Sequence, residues 1–469
     1  MASVIRTDAL VAFETARLKP RYWMLIALLM AQGIVEMFDF YLVGYVVSVV
    51  GPQWKLTFGQ TSVILLSAGL GQVCTALLTA RAADQWGRKP VLIASVLIYG
   101  IAAGSIALIP NGAWMTFALL RFFVGVGFSG ALTAQMTLLV EFSPSRFRTL
   151  VTNASGALAS IGVLLASASA AFLVGEIGWR GLAALGAIPT FFALLLIFVA
   201  PESPRWLISR RRAARARDVI ARYIETPDDE LAEPATPPAP EVSRMRELYA
   251  HPGRFWLVIV MSGCLGIAAF GVALWGPTIL SLLLDIPPAK AAGYFIWVAL
   301  AGLFGRGLFT ILPHKLGRWK ATLICFWVSA AVLLVAALCN SAFIGELPVF
   351  FLCLLVGAVF YDGGFTNIAP YSVELFPVRI AAQGGGLGGM VSGGTKLVGP
   401  VLLAVIAGSS NILSPKATQA AILPAFLVLS GICVLGGVLM LFLRYETHGQ
   451  AAVIEASTAE AIAQADAPA

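Results

Sequence analysis

The chain has 469 residues, of which 59% are hydrophobic and 12% charged, and its formal net charge is +7. A mean hydropathy of +0.87 leaves too little polar surface for a water-soluble particle, so lipid must be the solvent for most of the chain. The positive charge does not indicate a nucleic-acid-binding protein, because it does not form one face of a soluble module, and the six cysteines lack the spacing of a zinc site.

Twelve apolar stretches of roughly 20 residues follow in chain order, each long enough to cross a hydrocarbon core as a helix. They lie at 22–48, 61–80, 91–109, 113–140, 150–174, 180–200, 255–283, 289–312, 321–339, 347–370, 383–408 and 420–443. The sequence therefore predicts an all-α integral membrane protein. It is divided into a tail at 1–21, a six-helix bundle at 22–200, a central loop at 201–254, a second six-helix bundle at 255–443 and a tail at 444–469.

The distribution of basic residues predicts the orientation of these helices, because lysine and arginine are retained on the cytoplasmic side during insertion. Of the 31 basic residues, 24 lie in the tails and the connections after the even-numbered spans. Both termini are thus predicted to be cytoplasmic, in the inner membrane of a bacterium. No small-residue cleavage site precedes the first span, so segment 1–21 is not predicted to be a signal peptide.

The central loop changes composition along its length. A basic segment, Arg205–Arg222, precedes an acidic and proline-rich stretch, Thr226–Val242. We expect too little apolar surface here for a tightly packed fold, so the loop is interpreted as a linker between the halves. The basic part can form a helix on anionic headgroups, and a regulatory role is the alternative to a plain linker.

Two charged motifs recur at nearly the same spacing in both halves. The template Glu-x-x-Pro-x-Arg stands at Glu141–Arg146 and again, 233 residues later, at Glu374–Arg379. A Gly-Arg turn ends the segment Asp84–Arg88 after span 2 and, 230 residues later, the segment His314–Arg318 after span 8. Two pairs at nearly one offset indicate an internal duplication, which is common in transporters.

Each motif is a short turn between spans, in which glycine permits close approach and a charge cluster lies at the helix ends. The carboxylates can pair with arginines of neighbouring loops when the cytoplasmic side is closed, which makes a latch. The alternative is that these residues only fix the topology. Candidate gating residues are Asp84, Gly87, Arg88, Glu141, Arg146, Arg318, Glu374 and Arg379.

These motifs resemble those of the major facilitator superfamily, over essentially the whole chain. The signature loop Gly-x-x-x-Asp-Arg-x-Gly-Arg-Arg is represented by Ala80–Lys89, with Ala80 in place of the leading glycine and Gln85 in place of the first arginine. The signature of helix 4 is represented by Arg121–Gly127. The resemblance implies a carrier of two six-helix bundles.

Two further segments are similar to signatures of sugar porters within that superfamily. Pro201–Leu207 follows span 6, and Tyr445–Gly449 follows span 12. The first of these adds Glu202 and Arg205 to the candidate gating residues. Span 1, however, contains Glu36–Gly44, which is more similar to proton symporters for organic and aromatic acids. The signatures therefore leave the substrate open.

Charged side chains inside membrane spans are costly unless they are paired or hydrated, so each is a candidate functional residue. Asp39 lies in the middle of span 1, and Glu36 precedes it by three residues on nearly the same face. Two carboxylates so close in a low dielectric favour holding one proton, as a proton-coupled carrier requires. Arg121 of span 4 can pair with ionised Asp39, and in the resembling proton-coupled sugar porters the corresponding residues have this coupling role. The alternative is a permanent ion pair between two helices.

Three further charges, Arg306, Asp362 and Lys396, lie in spans of the second half, and the duplicated positions in the first half are uncharged. Such a one-sided arrangement favours a substrate site, in which Arg306 and Lys396 neutralise a substrate carboxylate and Asp362 orients one of them. A salt bridge between Asp362 and Lys396 is the alternative.

After Trp275, a glycine and a proline predict a broken helix that lines a cavity. Further candidate substrate contacts are Tyr41, Gln135, Tyr361 and Asn367.

The combined prediction is a secondary active transporter that takes up a small organic or aromatic acid with protons by alternating access. A proton-coupled sugar or polyol transporter is the alternative within that class, and a transporter-like solute receptor is the alternative outside it. Span 5 lacks the Gly-Pro motif typical of drug-exporting antiporters, which favours import. We expect no enzymatic activity, metal, cofactor or nucleic-acid partner. The expected partners are the solute, protons and the lipid bilayer, and the protein is expected to be a monomer.

Overall fold

A computed structural model describes residues 7–227, 230–234, 245–377 and 380–447. Helices dominate these ranges, because backbone polar groups in lipid must be satisfied within the chain. The α-helices are α1 (Ala9–Thr15), α2 (Pro20–Gln53), α3 (Phe58–Trp86), α4 (Arg88–Ser105), α5 (Trp114–Glu141), α6 (Ser145–Ala184), α7 (Ile188–Val199), α8 (Pro204–Ser209), α9 (Ala213–Ala221), α10 (Pro252–Leu283), α11 (Pro288–Leu316), α12 (Arg318–Leu338), α13 (Val349–Tyr361), α14 (Phe365–Glu374), α15 (Ala381–Ala407) and α16 (Pro415–Phe442). Short 3₁₀ turns lie at Ile106–Leu108, Leu185–Ala187 and Met245–Ala250, and the strands are β1 (Thr7–Asp8), β2 (Leu231–Ala232), β3 (Phe343–Ile344) and β4 (Leu347–Pro348).

Within the described ranges, 11 helical stretches are long and apolar enough to cross a membrane. One of them, Ser145–Val199, contains 55 residues. A straight helix of that length would extend about 80 Å, far more than the hydrocarbon core. Gly178 divides the stretch, because its φ of 65° is left-handed and interrupts the helix. With this stretch counted as two spans, the predicted all-α membrane fold of twelve spans is confirmed.

The turns after spans 2 and 8 depend on glycine at duplicated positions. Gly87 lies between α3 and α4 with a φ of 107°, and Gly317 lies between α11 and α12 with a φ of 89°. Residues with a side chain rarely adopt this backbone conformation. A Cβ atom on Gly87 would also collide with Glu202, and one on Gly317 would collide with Glu446. The backbone conformation of both turns therefore requires glycine, and a side chain at either position would in addition displace the nearby glutamate carboxylate.

Spans 7 and 10 differ from the prediction in their continuity. The predicted break in span 7 is wrong, since α10 continues through Pro277. A proline removes only one backbone hydrogen bond, and neighbouring helices can compensate for it in a membrane protein. Span 10 is interrupted instead, because α13 ends at Tyr361 and α14 begins at Phe365. Close to this interruption α13 approaches α11 so tightly that a side chain on Gly363 would collide with the backbone of Gly305.

The first part of the central loop is folded, which contradicts the expectation that its composition is too polar for a tightly packed fold. α8 and α9 bury an apolar cluster of Trp206, Leu207, Ile208 and Ala216, against which Leu10 of α1 also packs. β1 of the N-terminal tail pairs in parallel with β2 of the loop. The prediction was wrong because the tail supplies apolar partners that the composition of the loop alone lacks. Most of the acidic stretch 226–242 lies outside the described residues.

Contacts divide the described residues into two compact units. Unit 1 consists of the described residues within Met1–Glu241, Ala273–Ala299 and Leu403–Thr418. Unit 2 consists of the described residues within Val242–Val272, Leu300–Leu402 and Gln419–Ala469. Unit 1 thus contains the first six spans together with parts of spans 7, 8, 11 and 12. The bundle boundaries derived from the sequence stay a prediction.

A short antiparallel pairing lies within unit 1, between the turn that precedes α3 and the segment that precedes α16. Hydrogen bonds of 2.9 Å between main-chain atoms join residues 56–59 to residues 409–413. Thr57 and Ile412 are the two residues that face each other in this bridge. We refer to the paired segments 56–59 and 409–413 as the loop bridge.

Candidate functional site

Asp39 and Arg121, two of the predicted site residues, are brought together in the structure. Asp39 lies on α2 and Arg121 near the start of α5, and Nη1 of the arginine is 3.3 Å from Oδ2 of the carboxylate. Only 3% of the Asp39 side chain and 2% of the Arg121 side chain are exposed. An ion pair so deeply buried has lost its hydration, so its stability depends on the few polar groups around it.

A small cavity lies beside this ion pair. It has a volume of about 10 Å³, and its walls include both charged residues together with Val46, Ile106 and Phe117. A cavity of that size is close to the smallest that holds a water molecule. Among the described residues, Nε and Nη2 of Arg121 have no hydrogen-bond partner. The guanidinium therefore has donors available for a group other than Asp39.

Further buried polar side chains continue from the ion pair along α2. Glu36 precedes Asp39 by three residues and Gln32 precedes Glu36 by four, and these spacings place all three on one face of the helix. Glu36 is 1% exposed and Gln32 is fully buried. Nε2 of Gln32 donates to the hydroxyl of Tyr99 on α4 at 2.6 Å. Nε2 of Gln135 on α5 donates to a backbone carbonyl of α2 at 2.5 Å, so Gln135 joins α5 to α2.

In unit 2, Asp362 pairs with Arg306. Nη2 of Arg306 is 2.8 Å from one carboxylate oxygen and Nε is 3.4 Å from the other, so the contact is bidentate. The pair joins α11 to the end of α13, and its two side chains are 20% and 25% exposed. Lys396 of α15 instead lies 5.5 Å from the ring centre of Phe270 on α10. Arg306 thus offers the Asp362 carboxylate two parallel donors, and the alternative of a salt bridge between Asp362 and Lys396 stays a prediction.

The other predicted substrate contacts have varied surroundings. Trp275 is fully buried within unit 1, whereas Tyr41 is half-buried on α2. The hydroxyl of Tyr361 donates to a carbonyl of its own helix at 3.2 Å. Oδ1 of Asn367 accepts a hydrogen bond from Arg318 at 3.0 Å, which places this amide in a charged cluster at the end of the spans. The substrate role of these residues stays a prediction.

The first charged cluster lies at the ends of α3, α4 and α5 in unit 1. Nη2 of Arg88 is 3.2 Å from Asp84 and 3.5 Å from Glu141. A carboxylate oxygen of Glu202 accepts the backbone N–H of Arg88 at 2.9 Å, so Glu202 satisfies one of the free N–H groups at the start of α4. The hydroxyl of Ser203 donates to Glu141. The turn after span 6 thus closes the cluster.

The second charged cluster repeats this arrangement in unit 2. Two hydrogen bonds of 2.5 and 2.6 Å join Arg318 to Glu374. Glu446 accepts the backbone N–H of Arg318 at 2.9 Å, and the hydroxyl of Thr447 donates to Glu374 at 2.9 Å. Glu446 and Thr447 are missing from the residues predicted for gating. The sequence does contain a signal for them: a glutamate followed directly by a residue with a hydroxyl group stands after both the sixth and the twelfth span.

Three predicted gating residues lie apart from these clusters. Arg146 is exposed, and its Nη2 donates to the carbonyl of Ala16 at 2.7 Å. Arg205 is exposed at the start of α8 and acts on Glu141 through its charge. Arg379 lies outside the described residues.

The N-terminal segment also contacts the turn after span 4. Glu14 of α1 accepts a hydrogen bond from the backbone N–H of Ser145 at 2.6 Å and another from the hydroxyl of the same residue at 2.8 Å. Its carboxylate is 3.7 Å from Arg148. Glu14 therefore caps the start of α6, where the neighbouring Pro144 provides no side-chain cap.

Each part of the site suits a different chemical task. A single buried acid with one basic partner can bind and release a proton while its partner rearranges. A partly exposed arginine and a lysine beside an aromatic ring can hold an anionic group that carries a ring. Among the residues that the structure describes, no three His, Cys, Asp or Glu side chains converge as a metal site would require.

Comparison with known proteins adds relatives of stated function. Residues 28–393 match the family model described as Major Facilitator Superfamily. The niacin transporter NiaP of Acinetobacter baylyi is 27% identical over 397 residues, which cover 80% of this chain and 86% of that protein. The 4-hydroxybenzoate transporter PcaK of Pseudomonas aeruginosa is 28% identical over 223 residues, which cover 47% of this chain and 49% of that protein. The solved structure of the xylose transporter XylE from E. coli matches with a TM-score of 0.67 at 16% identity, over 92% of this chain and 99% of that one.

Proposed function

Since the chain belongs to the Major Facilitator Superfamily and is a membrane transporter, we propose that it takes up a small organic or aromatic acid together with protons by alternating access. The relatives NiaP and PcaK are named for niacin and 4-hydroxybenzoate, and both compounds are aromatic carboxylic acids. The observation that carries the proton-coupling part of the proposal is the buried contact between Asp39 and Arg121.

Proton binding at Asp39 would change what Arg121 holds. While Asp39 is ionised, its charge offsets the guanidinium at 3.3 Å. A protonated Asp39 no longer offsets that charge, and leaving a buried cation without a counter-ion is strongly unfavourable. Arg121 must then find other partners, for which it has two further nitrogen atoms. In this way a single proton can favour one arrangement of the surrounding helices over another.

The charges of unit 2 support an anionic substrate. Asp362 already balances Arg306, and the bidentate contact fixes the guanidinium in one orientation. Lys396 lies above the ring of Phe270 at 5.5 Å, so a carboxylate bound by the lysine would bring an attached ring close to an aromatic side chain. A neutral sugar could accept hydrogen bonds from this lysine but would not neutralise its charge.

We further propose that the protein is a monomer in the inner membrane of a bacterium, with both termini in the cytoplasm. Protons would be its driving ions, and it would need no other cofactor. The excess of basic residues in the tails and the connections after the even-numbered spans supports this orientation.

The test replaces the acid of the buried pair by an amide of the same shape. We expect Asp39→Asn to abolish accumulation of nicotinate or 4-hydroxybenzoate in proteoliposomes under an imposed proton gradient. Exchange of labelled for unlabelled substrate should continue, because exchange does not require net proton release. Asp218→Asn is the matched control, since Asp218 is an exposed carboxylate outside the spans, and it should behave as the wild type in both assays.

Three outcomes would contradict the proposal. Accumulation by Asp39→Asn at the wild-type rate would remove Asp39 from proton coupling. Transport of neutral sugars but not of acids would indicate a sugar carrier. Binding of acids without any uptake by the wild-type protein would indicate a receptor.

A further inference from the structure

A basic cavity lies in unit 2, where α11 ends, α12 begins and α16 ends. Its volume is about 290 Å³, and Lys315, Lys320, Arg444 and Trp319 contribute to its walls. Both lysines and Arg444 are exposed. The predicted orientation places this end of the spans on the cytoplasmic side, at the level of the lipid headgroups.

The cavity holds more positive than negative charge. Glu446 is the one carboxylate in its described lining, and this group already accepts the backbone N–H groups of Arg318 and Thr447 at 2.9 and 3.1 Å. Within the described part of the chain, no carboxylate lies within 4 Å of Lys315 or Lys320. The cavity therefore presents free cations to an external anion.

The duplicated turn in the first half shows that these lysines are not needed for the turn itself. At the offset of 230 residues, Lys315 corresponds to Gln85 and Lys320 corresponds to Pro90. The two turns nevertheless share the glycine, the arginine and the capping glutamate described above. The first turn carries Lys89 where the second has Trp319, so the second turn has one lysine more at these positions.

Apolar surface adjoins the cavity on the side of the spans. Phe442 and Leu441, at the end of α16, are 81% and 49% exposed, and Ile311 of α11 is 60% exposed. Leu316, which is itself 39% exposed, also lines the cavity. A ligand that matches both surfaces must carry an anionic group on one end and hydrocarbon chains on the other.

We propose that this cavity binds the phosphate group of an anionic phospholipid, with the acyl chains along the exposed apolar residues of α11 and α16. Basic pockets at the cytoplasmic ends of membrane helices are suited to such headgroups. The guanidinium of Arg444 lies 5.2 Å from the ring centre of Trp319. This cation–π contact orients the arginine side chain. This site is separate from the proposed transport site, so its test does not depend on transport.

The experiment measures the unfolding temperature of the purified full-length protein in detergent against increasing short-chain phosphatidylglycerol. Short-chain phosphatidylcholine and inorganic phosphate are titrated in parallel. We expect phosphatidylglycerol alone to raise the unfolding temperature. The double variant Lys315→Gln/Lys320→Gln should bind it about 30-fold more weakly, whereas Lys315→Arg/Lys320→Arg should retain most of the affinity because it keeps both charges.

The matched control is Arg211→Gln/Arg215→Gln, which removes two exposed positive charges elsewhere and should leave the affinity unchanged. Equal weakening by both neutral variants would overturn the proposal, because it would indicate general attraction to a basic protein. An equal effect of phosphatidylcholine would overturn it as well. An equal effect of inorganic phosphate would show a site for free phosphate instead of a lipid.

Discussion

Lys396 combines a positive charge with an aromatic neighbour, and this combination leads to a prediction about substrate selectivity. We expect Lys396→Gln to weaken binding of nicotinate and 4-hydroxybenzoate by about 10- to 100-fold, the range for a lost hydrogen bond to a charged group. Binding of the uncharged analogue nicotinamide should change little. Isothermal titration of the purified protein measures both affinities.

Lys416→Gln is the matched control for this prediction, since it removes an exposed lysine at the start of α16. Its affinities should equal those of the wild type. If Lys396→Gln also leaves the affinity for both acids unchanged, the assignment of Lys396 to the substrate carboxylate is wrong.

At the scale of residues, the sequence locates charges along each helix but does not reveal which helices face each other. The depth of Asp39 and Arg121 in their spans was sufficient to suggest a pair. Depth alone did not identify the partner of Asp362, because Arg306 and Lys396 are both basic and lie at suitable depth in their spans. The interruption of span 10 next to Asp362 brings this residue close to α11, and no local pattern predicts that approach.

The contact between α1 and α6 leads to a prediction about local stability. We expect Glu14→Gln to speed hydrogen exchange of the Ser145 amide about fivefold, since a lost cap costs about 1 kcal/mol. The amides of α1 should also exchange faster. Glu225→Gln is the matched control, because Glu225 is an exposed carboxylate of the same folded region. Equal exchange in both variants would contradict the capping role.

The pH dependence of this contact follows from the charge of Glu14. Burial alone would raise its pKa, but hydrogen bonds from Ser145 and the charge of Arg148 outweigh that effect, so the pKa of Glu14 is lowered. A carboxyl group with a lowered pKa stabilises the folded state above its ordinary pKa of about 4.3 and loses that contribution as pH falls through the lowered value. Opening of α1 in the wild type should therefore increase only below about pH 4, and Glu14→Gln should lack this dependence.

At the scale of elements, long apolar runs predicted the spans because their length is set by the thickness of the membrane. Shorter elements escaped prediction. α8 and α9 depend on Leu10 of α1 for part of their apolar contacts, and that contact joins segments about 200 residues apart. Composition within a window cannot reveal such a partner, so the fold of this region was not predicted.

The loop bridge leads to a prediction about the whole molecule, because alternating access requires segments of the two sequence halves to separate. Thr57 and Ile412 lie between the hydrogen bonds from Phe58 to Asn411 and from Leu413 to Leu56. Facing residues of such a non-hydrogen-bonded pair have Cα atoms about 4.5 Å apart, which suits a disulfide. We expect oxidised Thr57→Cys/Ile412→Cys to lose uptake and a reductant to restore it.

Each single cysteine variant is a control and should transport equally under oxidising and reducing conditions. The Thr57→Cys control is needed because the side chain of Thr57 also caps α3, and loss of this cap by itself affects stability. Normal uptake by the fully oxidised double variant would show that the loop bridge does not open during transport.

At the scale of the molecule, the duplicated motifs predicted two related halves and twelve spans. They did not predict the grouping of contacts, in which segments 273–299 and 403–418 of the second half belong with the first six spans. A duplication determines connectivity and the order of helices. The surfaces that meet depend on side-chain complementarity between distant segments, for which one sequence contains no periodic signal.

Glu202 and Glu446 each follow the last span of a half. Each nevertheless caps the start of a helix that lies much earlier in the same half, α4 or α12. The capped residue precedes its glutamate by 114 positions in the first case and by 128 in the second. A ribosome needs on the order of ten seconds to add that many residues. During synthesis α4 and α12 must therefore enter the bilayer uncapped, and each helix obtains its cap only when the final turn of its own half has been translated. The cap of α4 can form while the second half is still being made, whereas unit 1 also needs residues 273–299 and 403–418 of that half.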